Sequence, residues 1–291
     1  MRVSTGSTTG DGSTSGTFGA RLRAAMDARG PLCAGIDPHA GLLAAWDLPD
    51  SVDGLERFAL TAAEALAPVV AAVKPQSAFF ERFGARGIAV LEEVVRTCRD
   101  AGALVVLDVK RGDIGSTAQG YADAYLDPSS PIAVDAITAS PFLGFGSLAP
   151  MLETAAKHDG GVFVLALTSN PEGAQVQRAT GPDGRSVAAT VLDALREANA
   201  TATSLGSFGA VVGATIDMPG DDVDLDVGGP LLVPGIGAQG GTADDVRRIF
   251  AGVLDKVLPS SSREVLGAGP DQASLRAAAE RAAAEFAALV G

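Results

Sequence analysis

Leu104-Val105-Val106-Leu107-Asp108-Val109-Lys110-Arg111-Gly112-Asp113-Ile114-Gly115-Ser116-Thr117 joins an apolar run to a cluster of charges. The run reads as a buried strand bounded by a glycine loop. Asp108 and Lys110 are two apart, so on a strand they share a face. Asp113 falls past the strand end, between Gly112 and Gly115. Charges at the mouth of a buried strand are costly unless they pair or do chemistry. Taken alone, the cluster reads equally well as a structural Asp–Lys pair or as part of a site.

Seven further apolar runs resemble this one. They cover 32–36, 69–73, 132–138, 161–167, 208–213, 231–233 and 252–258. Helical periodicity falls between them at 17–29, 54–66, 88–100, 117–125, 148–157, 186–200 and 242–250, with a closing Ala-rich helix at 271–290. The acidic segment 216–229, broken by Pro219 and Gly220, carries no helical pattern. Eight strands alternating with helices predict an α/β chain folded as a (β/α)8 TIM barrel, one catalytic domain over 17–291. A doubly wound open sheet fits less well, because no GxGxxG opens a helix after the first strand. Residues 1–16 are rich in Ser, Thr and Gly and lack the apolar core of a signal peptide, so a flexible tail is expected.

Composition narrows the function classes. Lys plus Arg number 22 against 35 Asp plus Glu, a net charge of -13. Such a chain is a poor general binder of nucleic acid or anionic membrane, and an anionic substrate would need a locally positive pocket. No stretch approaches the ~18 consecutive apolar residues of a membrane-spanning helix. Cys33 and Cys98 form no CxxC pair and read as buried free thiols, which suits a reducing, cytoplasmic setting. His39 and His158 match no metal-ligand spacing.

Polar residues recur at the strand C-termini: Asp37, Lys74, Asp108, Lys110, Asp113, Ser169, Gln239 and Arg263. In a barrel those ends face one mouth, where active sites are built. Several charges converging there favour a site over a lone structural pair. The glycine-rich stretch Pro234 to Gly241 would let backbone N–H groups approach an anion, with the positive end of the helix from Thr242 behind it. Loops after strands seven and eight of barrels frequently hold phosphate, and Arg263 offers a fork of donors that matches one. Lys110 between carboxylates should keep its proton, which favours a proton donor over a Schiff-base amine. Asp108 is placed to repel an anionic substrate group or to orient the lysine. The set suits a reaction that expels a carboxylate and then protonates a carbanion, and it requires neither metal nor organic cofactor.

At these residues the chain resembles orotidine 5′-phosphate decarboxylase. The likeness rests on Asp108-Val-Lys110-Arg-Gly-Asp113-Ile-Gly-Ser-Thr117, Val73-Lys74-Pro75-Gln76 and Leu232-Val-Pro234-Gly-Ile-Gly-Ala-Gln239-Gly-Gly. The Lys-Arg-Gly-Asp-Ile-Gly form is similar to the longer bacterial subgroup, the mycobacterial type. The likeness runs from about Thr17 to the C-terminus. It implies conversion of orotidine 5′-phosphate to uridine 5′-phosphate without cofactor, by a homodimer with shared active sites. By motif position it implies that Lys110 protonates C6 and that Asp108 lies against the departing carboxylate. Asp113 and Thr117 would reach the neighbouring subunit's site. Asp37 and Lys74 would hold the ribose and join the charge network, and Ser169 would contact the pyrimidine. Pro234 would be among the substrate-binding residues, with Gln239 and Arg263 on the phosphate. The long Pro171 to Gly184 loop is the expected lid. Strand eight's Pro259-Ser-Ser-Ser-Arg263 is matched mainly by its arginine.

Two rivals share parts of this pattern. Metal-dependent 3-keto-sugar-phosphate decarboxylases and hexulose-phosphate synthases share the barrel and DxKxxD, but carry a metal-binding Glu where this chain has Lys74-Pro75. A non-catalytic nucleotide-sensing barrel would not need the acid/base set.

Overall fold

The computed structural model of the chain describes residues 16–237 and 240–290. The expected tail, apart from Gly16, and Gln239 lie outside them.

Eight parallel strands close into a barrel in sequence order, β1 pairing with both β2 and β8. They are β1 (Cys33–Ile36), β2 (Ala72–Pro75), β3 (Leu104–Arg111), β4 (Ala136–Ala139), β5 (Gly161–Leu167), β6 (Phe208–Val212), β7 (Leu231–Pro234) and β8 (Val257–Ser261). Helices pack outside. Val52–Leu66 and Gly84–Asp100 present Leu55, Phe58, Leu91 and Val94 to the strands and keep charged residues on the far side. Ser51 caps the first of these by accepting from the Gly54 amide at 3.3 Å.

The barrel floor is closed by the N-terminal helix Phe18–Arg29. Its Phe18, Leu22 and Met26 join the inward residues Cys33, Val106, Phe163, Leu232 and Leu258 in a separate inner core. Phe18 meets Phe163 edge-on, ring centroids 5.9 Å apart. The helix is also tied by charge. Arg21 Nη1 lies 2.5 Å from the buried Asp135, whose other oxygen accepts the Val105 amide at 2.9 Å.

Three strands start later than the apolar pattern suggests. Val69 and Val70 bond back to the Leu66 carbonyl and finish the preceding helix, so β2 begins at Ala72 and contains Lys74. Residues 132–134 belong to a turn in which the Val134 amide bonds Tyr125 O, so β4 begins at Ala136. Residues 254–256 form a 3-10 turn, and β8 runs through Pro259, Ser260 and Ser261, all buried. Lys74 therefore lies within its strand rather than beyond it, as Asp108 and Lys110 lie within β3. The pattern also passes over the short helices Ala40–Ala45, Ala78–Glu81, Ala174–Gln177 and Arg263–Leu266.

No helix forms over 216–229. Side chains hold that segment instead. Asn199 donates to Phe208 O and Val227 O at 2.7 and 2.9 Å, and Arg196 Nε donates to Asp226 O at 2.8 Å. Lys256 pairs with Asp226 at 2.5 Å.

Candidate active site

β2, β3 and β4 place the central charges at the C-terminal mouth. Asp108 is buried, and both of its carboxylate oxygens are engaged. Lys74 Nζ lies 3.0 Å from Oδ2, and Lys110 Nζ lies 2.6 Å from Oδ1. The Thr138 hydroxyl donates to Oδ1 at 2.7 Å. β3 does not run straight to this point. Its register with β4 shifts between Leu107 and Arg111, and Lys110 sits at φ 45°, uncommon for a residue with a Cβ. The Lys110 amide bonds Thr138 Oγ1 at 2.9 Å.

Burial alone would push the Asp108 carboxyl up. The ammonium groups of Lys74 and Lys110, with the hydrogen bonds to Lys110 and Thr138, outweigh it and hold the carboxyl well below the usual range. Burial likewise disfavours the Lys74 ammonium, but Asp108 and Asp37 outweigh that and raise it. The centre is thus a buried carboxylate between two amines, with Lys74 enclosed and the Lys110 side chain 46% exposed towards the mouth. Only the second can meet a ligand freely.

These residues line a cavity of about 330 Å³, together with Asp37, Gln76, Ser169, Pro234, Gly235, Ile236, Ser262 and Arg263. One Asp37 oxygen, Oδ1, is buried without a hydrogen-bond partner. Among the described residues, the exposed Arg263 makes no side-chain hydrogen bond or ion pair. Gly235, at φ 99°, turns the chain out of β7 over the cavity. Ser169 is held by its neighbours. The Thr168 amide bonds Gln177 Oε1 at 2.9 Å, and the Thr168 hydroxyl donates to Asn170 at 2.6 Å.

The expected residues divide into groups. Asp37, Lys74, Asp108, Lys110, Ser169, Pro234 and Arg263 meet around one cavity. Asp113 and Thr117 do not line it. Asp113 accepts the Ile114 amide at 2.8 Å, and Thr117 is exposed near the start of the helix Gly115–Leu126. Gln239 lies outside the described residues. The helix after the glycine stretch, Ala243–Ile249, spends part of its N-terminal donor capacity internally. Thr242 and Asp245 form a capping box, and hydrogen bonds from Thr242 and Arg248 lower the Asp245 carboxyl to about 2. Its positive end is therefore a weaker anion site than the sequence suggests, which leaves Arg263 as the cationic side chain on that side of the cavity. Thr138 is the residue sequence reasoning missed. Its signal was one hydroxyl in the otherwise apolar strand Ala136–Ala139.

A larger open groove of about 980 Å³ lies at the opposite, N-terminal end of the barrel. Its charges are of both signs and pair locally, as in Arg21–Asp135 and Arg96–Glu93. Among the described residues, no three His, Cys, Asp or Glu gather as a metal-binding group. No described helix is long and apolar enough to cross a membrane.

A closed parallel barrel with a Lys–Asp–Lys array at its C-terminal mouth, and an arginine across from it, has the build of a barrel enzyme with its site at that mouth. The family model described as orotidine 5′-phosphate decarboxylase / HUMPS matches residues 30–278, and the chain belongs to that family. Orotidine 5′-phosphate decarboxylase of Salinispora arenicola is 63% identical over 276 residues, covering 94% of this chain and 99% of the relative. That of Streptomyces coelicolor is 59% identical over 271 residues, covering 92% and 96%. A crystal structure from Streptomyces avermitilis, 57% identical, matches with TM-score 0.92 over 98% of this chain and 99% of its own. Leishmania donovani OMP decarboxylase, 31% identical, matches with TM-score 0.73 over 94% and 99%.

Proposed function

We propose that the protein decarboxylates orotidine 5′-phosphate to uridine 5′-phosphate in pyrimidine biosynthesis, without metal or organic cofactor. The observation that carries the reading is the Asp108 carboxylate held ionised between two lysines, one of them open to the cavity. A substrate carboxylate placed beside Asp108 is repelled by it and relieved when carbon dioxide leaves. The C–C bond electrons stay on C6, and Lys110 Nζ supplies the proton that neutralises them. Lys74 keeps Asp108 ionised through the cycle. Asp37, with its unpartnered oxygen, accepts from the ribose hydroxyls. Ser169 meets the pyrimidine, and Arg263, with Gln239, takes the phosphate.

The barrier for a carbanion without an electron sink is high, and enzymes lower barriers by about 8–23 kcal/mol. No single contact supplies that much. Phosphate binding remote from the reacting carbon is the natural source of further stabilisation, with closure of the Pro171 to Gly184 loop as its route.

The active unit in this reading is a homodimer. Asp113 and Thr117 do not line their own cavity, and an apolar surface lies on the neighbouring loops: Ile114, Phe142 and Leu143 are 62%, 75% and 53% exposed. A partner covering that surface would receive Asp113 and Thr117 at its own site.

Loss of the orotate absorbance, followed with purified protein and substrate in excess EDTA, tests the reaction and the metal question together. Turnover undiminished by EDTA is expected. Turnover abolished by EDTA and restored by Mg²⁺ would contradict the metal-free part of the reading, and no loss of orotate absorbance under either condition would contradict the reaction itself.

A further inference from the structure

We propose that Thr138 is a positioning residue for the decarboxylation, its hydroxyl locking the Asp108 carboxylate to the main chain of Lys110. The proposal rests on the reading of Asp108 and Lys110 given above and names a third residue on which their geometry depends.

A threonine hydroxyl has one proton to donate and lone pairs to accept with. In Thr138 both functions are used, and both serve the same pair. The proton goes to Asp108 Oδ1 at 2.7 Å, and the oxygen accepts the Lys110 amide at 2.9 Å. One buried atom thus joins the side chain of one charged residue to the backbone of the other.

The place where it does so is irregular. The β3–β4 register slips between Leu107 and Arg111, and Lys110 takes a left-handed φ of 45°. A residue with a Cβ stays in that conformation only where its surroundings over-determine it. The hydroxyl of Thr138 holds the amide of that residue. The same turn sends the Lys110 side chain back towards Asp108, where Nζ lies 2.6 Å from the oxygen that Thr138 also holds.

Packing alone does not call for a hydroxyl here. Ala136, Ile137 and Ala139 are apolar and buried, and valine has the shape of threonine without the desolvation cost. Thr138 also lines the cavity, so its contacts sit at the reacting end of the barrel. Without it, Asp108 keeps both lysines but can rotate. The lysine amine and the carboxylate would then no longer be presented to the leaving group at a fixed separation, and misplacement of this kind acts on turnover more than on binding.

The test uses Thr138→Val, Thr138→Ser and Thr138→Cys in the full chain, with Lys110→Ala in parallel, reading kcat, KM and melting temperature. Thr138→Val is expected to lower kcat by about tenfold to a hundredfold, with KM within about threefold of the parent. Thr138→Ser keeps both hydrogen bonds and is expected within about threefold of parental kcat, even where lost methyl packing lowers its melting temperature. If the valine variant does not fold, serine and cysteine decide, since a thiol is a weak substitute in both bonds. Parental kcat in Thr138→Val, or equal losses in serine and cysteine, would overturn the proposal. Parental turnover in Lys110→Ala would instead overturn the proton-donor reading beneath it.

Discussion

Arg263, the cationic side chain among the described residues on the far side of the cavity, is where a remote contact should register in turnover. Its guanidinium is exposed and pairs with none of the described side chains, so its truncation disturbs little within the chain itself. Arg263→Ala is expected to lower kcat/KM for orotidine 5′-phosphate by about a hundredfold or more, through kcat as well as KM. Unchanged steady-state constants would remove it as a phosphate ligand. Asp108 makes a different statement, about stability. Its folded-state carboxyl lies below the unfolded one, so the contribution is fully present above about pH 4, where the unfolded carboxyl is ionised, and is lost as pH falls towards the folded value. Lys74 has the opposite sign. Its folded value is raised, so its contribution holds below about pH 10.5 and is lost only in stronger alkali. The stability gap between parent and Asp108→Asn in urea unfolding should therefore be flat from about pH 5 to 9 and narrow below about pH 4. A gap that widened on acidification would contradict the buried ion pair.

The N-terminal helix and the short β4 strand show what individual elements contribute and how far each was legible. Phe18–Arg29 reads as an amphipathic helix, but nothing in its pattern says that Phe18, Leu22 and Met26 plug a barrel floor, because their partners come from strands far along the chain. Phe18→Ala should cost about 3–5 kcal/mol in denaturant unfolding, as for a large aromatic lost from a packed core. At 25 °C kcat and KM should stay near parental, since the floor is at the opposite end from the cavity. A large change in KM with unchanged stability would put the helix nearer the chemistry than its contacts do. The strands β3 and β5 were readable because unbroken runs of β-branched and aliphatic residues carry their own signal. β2, β4 and β8 were displaced because apolar residues of neighbouring turns extend the same pattern, and in β8 because Pro259 and the serines look like a loop. The central charges Asp108, Lys110 and Lys74 stood out against apolar strands. The hydroxyl of Thr138 did not, because threonine is an ordinary strand residue whose meaning depends on β3 lying alongside. The left-handed turn at Lys110 has no sequence mark at all.

Across the whole molecule, one protomer assembles a cavity that Asp113 and Thr117 do not line. If these two serve a partner's site, two inactive variants should complement each other. Lys110→Ala mixed with Asp113→Ala gives mixed dimers in which both defects fall on one site and the other is intact. With random exchange at equal amounts, about a quarter of parental activity should return. Mixing that recovers nothing, with subunit exchange verified, would confine each site to one chain. The reading of the charged array nevertheless stands or falls with the chemistry at Lys110. The most direct measurement is the loss of orotate absorbance from orotidine 5′-phosphate by the parent and by a folded Lys110→Ala variant, with circular dichroism and melting temperature recorded for both. Steady conversion to uridine 5′-phosphate by the parent and none above background by the variant is the expected result. Comparable turnover by the two proteins would contradict the assignment of Lys110 as the proton donor.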